Sequence, residues 1–302
     1  MSVEPRVLMW QPKDVSAVAT AKVRFDQVRR SLAAGGWQAL GSAAKTFVAQ
    51  RVLGARPDFA QHRYLLSDRL ARALNNTVRY GPFQHLKLHQ TPYWSGADRG
   101  AMLLGMYEQE VLQQLQQLSH DYDTFIDVGA ADGYYAVGAL VSDQFQSCIC
   151  FETDVRGQEA IQRLADLNNV SKRIHIFGQA NSEFLSTLSS TGFDFASGGV
   201  FLFDIEGAEY SLLTDSLLQT LRNSAMIIEL HDSSDEPGSK NADLFMRVAR
   251  YFNQHVVTFG ARDPNLFPEL ADWTDDDRWI LCSESRAGLM KWLILTPTTS
   301  LN

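Results

Sequence analysis

Short apolar runs alternate with amphipathic segments of helical length along most of this 302-residue chain. Six runs are predicted strands, at 124–128, 147–151, 173–177, 200–204, 226–230 and 256–259. Between most of them apolar residues recur three and four apart, as at 154–167 and 209–221, which predicts helices. Such alternation is typical of a parallel sheet that helices cover on both faces, so the predicted fold class is α/β.

Two further apolar runs near the C-terminus, 278–282 and 291–295, are also predicted strands. No segment of helical length separates them, so at least one antiparallel pairing is expected to close the edge of the sheet.

The first 95 residues follow a different pattern. An amphipathic helix is predicted over 37–52 and an alternating, strand-like segment over 83–89, and a helix over 102–118 leads into the sheet. The predicted organisation is a mainly helical extension, 1–95, followed by the α/β domain, 96–302.

Charge supports this division. The chain has a formal net charge of −8, but residues 1–95 contain 14 Lys/Arg against 5 Asp/Glu, a charge of +9, which leaves −17 for the remainder. We interpret the basic extension first as a cap on the acidic domain, and second as a contact for an anionic acceptor or a membrane surface.

Other features restrict the class of protein. No apolar run approaches the length of a membrane span, and the N-terminal residues lack the apolar core of a signal peptide, so a cytoplasmic protein without a transmembrane segment is expected. Three cysteines without a CxxC pattern, Cys148, Cys150 and Cys282, predict buried thiols rather than disulfides or a zinc site.

The stretch 124–140, TFIDVGAADGYYAVGAL, carries the strongest chemical signal. A strand ends near Asp127, a turn of small residues spans 129–133, and a helix follows. Such a turn brings the main chain and free helix N–H groups close to a ligand. Nineteen residues after Gly133, Glu152 ends the next strand, where a carboxylate can bind both hydroxyls of a ribose. Together they predict a cofactor that contains a ribose.

The acids in this turn favour one kind of cofactor. Asp127 and Asp132 would repel a pyrophosphate, and the turn lacks the G-x-G-x-x-G pattern. S-adenosylmethionine has no phosphate and carries a sulfonium and an ammonium group, so it suits the acids better. Two alternatives stay open: a nicotinamide-dependent oxidoreductase, and a non-catalytic scaffold that binds S-adenosylmethionine.

The same stretch resembles a known family. DVGAADGYY resembles the first motif of class I methyltransferases that depend on S-adenosylmethionine, with Ala131 in place of the middle glycine. FDIEGAEYSLL (203–213) resembles the D-[IV]-E-G-A-E signature of FkbM-type methyltransferases, and IIELHD (227–232) and GMYEQEV (105–111) resemble elements beside it. The resemblance covers about residue 80 to the end and implies a Rossmann-like sheet, mostly parallel with an antiparallel last strand.

The resemblance also implies site residues. Glu152 would bind the ribose, Gln179 and Ala180 would line the adenine, and Asp204 would lie beside the methionine moiety and the methyl group. The remaining implied cofactor contacts are Asp127, Gly129, Ala130, Asp132, Gly133 and Tyr134, with Tyr107 and Glu108 closing over the cofactor.

An alcohol acceptor must lose a proton, so a general base is expected. His231 is the first candidate, with Asp204 and Glu206 as further catalytic residues and Glu206 or Asp232 orienting the imidazole. Glu209 is interpreted as an acid that favours a helix N-terminus. A Mg²⁺ site of Asp204, His231 and Asp232 is an alternative, but no metal is predicted. The acceptor is expected to be a small molecule such as a sugar, a lipid or a natural product, with no nucleic-acid partner, and the oligomeric state stays open.

Overall fold

The computed structural model describes residues 59–93, 96–232, 234–286 and 288–298. The predicted helix over 37–52 lies outside these residues, so the basic extension as a cap and the domain boundary at 95/96 stay predictions. Residues Ala60–Asn302 form one compact unit. None of the described helices is both long enough and apolar enough to cross a membrane.

Seven strands form one sheet in the order β3-β2-β1-β4-β5-β7-β6. The first five strands are parallel, and β7 pairs antiparallel with both β5 and β6. The strands are β1 Thr124–Val128, β2 Ser147–Phe151, β3 Ile174–Phe177, β4 Val200–Phe203, β5 Ala225–Glu229, β6 Phe252–Thr258 and β7 Lys291–Pro297. The mostly parallel, Rossmann-like sheet with an antiparallel closure is therefore confirmed.

Ten α-helices lie among the described residues: α1 Phe59–Ala73, α2 Arg99–Leu103, α3 Gln109–Leu118, α4 Tyr134–Val141, α5 Val155–Leu167, α6 Phe184–Ser190, α7 Glu209–Leu212, α8 Asp215–Thr220, α9 Lys240–Val248 and α10 Asp275–Cys282. Short 3₁₀ helices occur at Ser171–Arg173, Pro264–Leu266 and Pro268–Leu270.

The central strands are mostly apolar because each face of the sheet is covered. Phe125, Leu202 and Ile227 pack into the core on one face, where α4 and α5 contribute. Their neighbours Ile126 and Phe201 pack into the core on the other face. This burial on both faces explains why the strands appear in the sequence as continuous rather than alternating apolar runs.

Two predicted helices are each interrupted. The one over 102–118 breaks between α2 and α3, where Gly105 and Glu108 adopt left-handed φ angles of 67° and 46°. The one over 209–221 breaks after α7, and Thr214 begins α8 by accepting a hydrogen bond from the amide of Leu217 at 3.3 Å. Local capping residues therefore override the continuous apolar spacing.

Two predicted strands are wrong. Residues 278–282 lie in α10, which Thr274 caps by accepting a hydrogen bond from the amide of Asp277 at 3.2 Å. The acids of 275–277 occupy its first turn, where the helix dipole favours them. The segment 83–89 forms only the isolated bridge Thr77–Lys87, because His85 turns the chain with a φ of 78°.

The order of the strands determines where a ligand can bind. The chain runs from β1 outward to β2 and β3, then returns to place β4 on the other side of β1. In open sheets of this kind ligands bind at the carboxyl ends of the strands where the order reverses. Here that position is the crevice between the loops after β1 and β4.

Candidate functional site

A cleft of about 1100 Å³ opens at the carboxyl ends of the parallel strands. Its walls include the loops after β1, β2, β3, β4 and β5, and residues 284–286 after α10, and further lining residues come from α1 and from Tyr93 and Tyr107. Pockets for one drug-sized ligand measure about 300–1,000 Å³, so this cleft has room for a cofactor together with an acceptor.

The turn after β1 lies at one end of the cleft. Gly129 has a φ of +99°, and a Cβ on it would lie 1.8 Å from the carbonyl oxygen of Asp204, so only glycine fits. The amides of Gly129 and Ala130 both donate to the carbonyl of Phe151, at 2.9 and 3.1 Å. Ala131 adopts a left-handed φ of 47°. The turn is thus fixed by main-chain hydrogen bonds to the end of β2.

Glu152 is held by main-chain donors on both sides. Its Oε2 accepts from the amide of Ala131 and its Oε1 from the amide of Asp154, both at 2.8 Å. A carboxylate has about four acceptor positions, so it retains capacity for ribose hydroxyls. Asp154 in turn accepts a hydrogen bond from the hydroxyl of Tyr93 at 2.5 Å, and both line the cleft. Tyr93 was not among the predicted site residues, because it follows a loop without periodicity.

The predicted cofactor residues divide into two groups. Gly129, Glu152, Gln179, Ala180, Asp204 and Tyr107 line the cleft, as does Ala131. Asp127, Ala130, Gly133 and Glu108 are not among its lining residues. Asp132 and Tyr134 line a separate small cavity with Arg99 and His89. Contacts between the cofactor and these six residues outside the cleft lining stay predictions.

Asp127 is buried beneath the turn with 1% of its surface exposed. Neither carboxylate oxygen has a hydrogen-bond partner of normal geometry among the described residues. Burial, together with the nearby carboxylates of Asp204 and Glu152, raises the pKa of Asp127 to about 8, even though a hydrogen bond from the amide of Ala136 lowers it. Such a carboxyl is stabilised as an anion only when a cation approaches, which fits a cationic cofactor in the cleft.

The opposite part of the cleft is built from ionisable side chains around His231, which follows β5. Its Nδ1 lies 3.0 Å from Oε1 of Glu209. Its Nε2 lies 3.5 Å from Glu229 and 3.6 Å from both Asp204 and Glu206. The hydrogen bond to Glu209 is the largest of the causes that raise the pKa of His231.

Glu229 and Asp204 form a close pair at the ends of β5 and β4. Burial, first, and then the hydrogen bond with Asp204 raise the pKa of Glu229 well above its ordinary value. These two residues and His231 offer ligand atoms within 4.8 Å of one another, which is a spacing that a metal ion can bridge. The predicted absence of a metal stays a prediction.

Asp232 does not orient the imidazole, contrary to one expectation. Its Oδ1 accepts from the amide of Ser234 at 3.0 Å and its Oδ2 from the amide of Lys240 at 2.9 Å. Asp232 therefore closes the loop before α9, while Glu209 makes the contact with His231. The sequence placed Glu209 at a helix start, which is correct, but did not reveal that the helix start faces His231.

Residues 284–286 form a strap along one wall of the cleft. Arg286 forms an ion pair with the buried Glu108, which also accepts a hydrogen bond from the hydroxyl of Tyr135. Burial raises the pKa of Glu108 to about 7. Glu284 accepts from Nε of Arg262 at 2.9 Å. The strap was missed because 278–282 was predicted as a strand, which placed the following residues elsewhere.

The three cysteines are free and buried, and burial raises the pKa of each thiol. They belong to the interior, as predicted.

Comparisons with known proteins give structural matches only. No family model matches the chain, and no curated protein matches its sequence. Among solved structures, cofactor-bound Rv0187 from MTB aligns at 11% identity and a TM-score of 0.43, over 84% of this chain and 96% of that one. Precorrin-6y C5,15-methyltransferase from Geobacter metallireducens aligns at 10% identity and a TM-score of 0.41, over 63% and 89%. The M1A22 tRNA methyltransferase TrmK of B. subtilis aligns at 8% identity and a TM-score of 0.41, over 62% and 64%. At these values the likeness assigns no substrate or residue role to this chain.

Proposed function

We propose that this chain is a class I, FkbM-type methyltransferase that uses S-adenosylmethionine to methylate a hydroxyl oxygen of a small molecule. One observation carries the proposal: a single cleft joins the small-residue turn and Glu152 at one end to His231, held by Glu209, beside Asp204 at the other. The first part suits a ribose-bearing cofactor, and the second suits removal of a hydroxyl proton.

Charge in the cleft supports S-adenosylmethionine over a dinucleotide. The carboxylates of Glu152 and Asp204 line the cleft. The guanidinium of Arg63 is paired with Asp98, and that of Arg286 with Glu108. A pyrophosphate would therefore face acids, whereas sulfonium and ammonium groups would be attracted.

Bound S-adenosylmethionine supplies an activated methyl group, so the chain's own task is to position the acceptor and handle one proton. The acceptor oxygen forms a bond to the methyl carbon as the carbon–sulfur bond breaks, and sulfur keeps the electron pair. Nε2 of His231 accepts the hydroxyl proton. The carboxylates of Asp204 and Glu206, each 3.6 Å from Nε2, stabilise the resulting imidazolium.

Asp204 has two roles in this proposal. As the residue that follows β4 it lies across from the turn at Gly129, next to the expected methyl position, and it also faces His231.

Tyr107 lines the cleft and Glu108 anchors the strap through Arg286, so the pair of residues closes over the cofactor from the loop before α3. The acceptor remains a sugar, a lipid or a natural product, and a cytoplasmic location without a nucleic-acid partner stays part of the proposal.

The proposal is tested by methyl transfer. Incubating the full chain with methyl-labelled S-adenosylmethionine and a small-molecule extract should give a labelled product whose label resists hydrolysis, as an ether does. His231→Ala should lose the product. A product labelled on nitrogen or carbon would refute O-methylation, and labelling that His231→Ala leaves unchanged would refute the assigned base.

A further inference from the structure

We propose that Glu209 is a positioning residue, which holds His231 in the tautomer that carries its proton on Nδ1 and presents an unprotonated Nε2 to the cleft. The inference rests on the proposed function for its catalytic consequence, but the contact itself can be measured independently.

Glu209 is fully buried, with none of its surface exposed. Burying a carboxylate is costly unless hydrogen bonds compensate. Its Oε1 lies 3.0 Å from Nδ1 of His231, and its Oε2 accepts from the amide of Gly207 at 3.0 Å. Both oxygens are therefore engaged, one by the main chain and one by the imidazole.

The local chain path creates this contact. Glu206 and Gly207, the third and fourth residues after β4, both have left-handed φ angles, of 55° and 93°. This turn carries the chain back so that Glu209, at the start of α7, contacts His231, the second residue after β5. The dipole of α7 alone would stabilise the Glu209 carboxylate only weakly, because this helix has only four residues.

The contact determines which ring nitrogen carries the proton. A carboxylate has no proton and can only accept, so Nδ1 must donate to it. In a neutral imidazole the other nitrogen, Nε2, then has a free lone pair. Nε2 is the atom that faces Asp204, Glu206 and Glu229 across the cleft wall. Without Glu209 the ring could adopt the opposite tautomer, with a proton on Nε2 and no base toward the acceptor.

Glu209→Gln reverses this preference with little change in shape. The amide of Gly207 requires an acceptor, so the Gln carbonyl would face Gly207 and its NH₂ group would face Nδ1. Nδ1 must then accept, and the proton moves to Nε2. We expect kcat to fall about 10²-fold with binding of S-adenosylhomocysteine unchanged. Because the charge of Glu209 raises the pKa of His231, the acidic limb of any residual kcat profile should shift to lower pH.

Nitrogen NMR of ¹⁵N-histidine-labelled protein reads the tautomer directly, with His231→Ala assigning the signal. Above its pKa the wild type should show the proton on Nδ1, and Glu209→Gln should show it on Nε2. Glu209→Asp should recover part of kcat, because it restores the charge. Asp215→Asn, which removes an exposed acid from the first turn of α8, is the matched control and should change neither reading.

The proposal is overturned if the wild-type His231 shows its proton on Nε2 at a pH above its pKa. It is also overturned if Glu209→Gln keeps both the wild-type tautomer of His231 and the wild-type kcat. The wild-type spectrum decides even where Glu209→Gln does not fold. If no methyl transfer is found at all, the proposed function fails, while the tautomer measurement still tests the contact on its own.

Discussion

The two ends of the cleft are built on different physical principles. The end after β1 and β2 is fixed by main-chain hydrogen bonds and small residues, as in the bonds from Gly129 and Ala130 to Phe151. The end after β4 and β5 is built from ionisable side chains, with His231 lying between Glu209 on its Nδ1 side and Glu229 on its Nε2 side. Cofactor binding at the first end should therefore depend on the shape of the turn, and catalysis at the second end on the protonation state of its side chains.

The largest effect is expected at the ionisable end. His231→Ala should lower kcat by about 10²–10⁴-fold, because the base is lost, while binding of S-adenosylhomocysteine stays within about twofold. Steady-state kinetics and calorimetry measure the two quantities. His255→Ala, on the exposed face of β6, serves as the control and should retain full activity. If His231→Ala also lost binding of S-adenosylhomocysteine, the assignment of cofactor binding and proton removal to opposite ends of the cleft would be wrong.

The next effect tests the shape of the turn. Gly129→Ala should abolish cofactor binding and destabilise the fold by about 1–3 kcal/mol, because the new Cβ would collide with the carbonyl oxygen of Asp204 at a φ of +99°. Gly192→Ala has a similar φ of +84° with no atom within 4 Å, so it should be strained but retain binding. Chemical denaturation and calorimetry distinguish the two. Equal losses of stability and of cofactor binding in both variants would show that the close approach of Gly129 to the carbonyl oxygen of Asp204 is unimportant.

A third prediction concerns stability and pH. The folded-state pKa of Asp127 is about 8, above its ordinary value near 3.9, so the folded chain keeps a proton that the unfolded chain releases. Its contribution to stability is present below about pH 4 and is lost as pH rises toward 8, at up to about 1.4 kcal/mol per pH unit. Asp127→Asn should flatten the decline in the free energy of unfolding between pH 5 and 8. Asp121→Asn, at an exposed position, should leave the slope as in the wild type.

The smallest effect is expected from metal removal. Because burial and the neighbouring Asp204 raise the pKa of Glu229, we expect Glu229 to keep its proton, which leaves less negative charge for a cation to balance. Treatment with a chelator should change activity by less than about twofold. Loss of activity that Mg²⁺ or Mn²⁺ restores would instead make Asp204, Glu229 and His231 a metal site.

The sequence predicted the sheet well because burial on both faces leaves long apolar runs, as in β1 and β4. It also placed Glu152, Asp204 and His231 at strand ends, where parallel topology brings them together. It failed for 278–282 because a capping Thr274 and three acids made a helix of an apolar run. The contact of Glu209 with His231 depends on the left-handed turn at Glu206, which has no signal in an apolar pattern.

Binding of S-adenosylmethionine in the cleft is most directly tested by the thermal shift of the full chain with S-adenosylhomocysteine and with NADH. At about 100 times the dissociation constant a bound ligand adds about 2.7 kcal/mol to stability. We expect stabilisation by S-adenosylhomocysteine, its loss in Gly129→Ala, and no stabilisation by NADH. Stabilisation by NADH without any by S-adenosylhomocysteine would contradict this expectation.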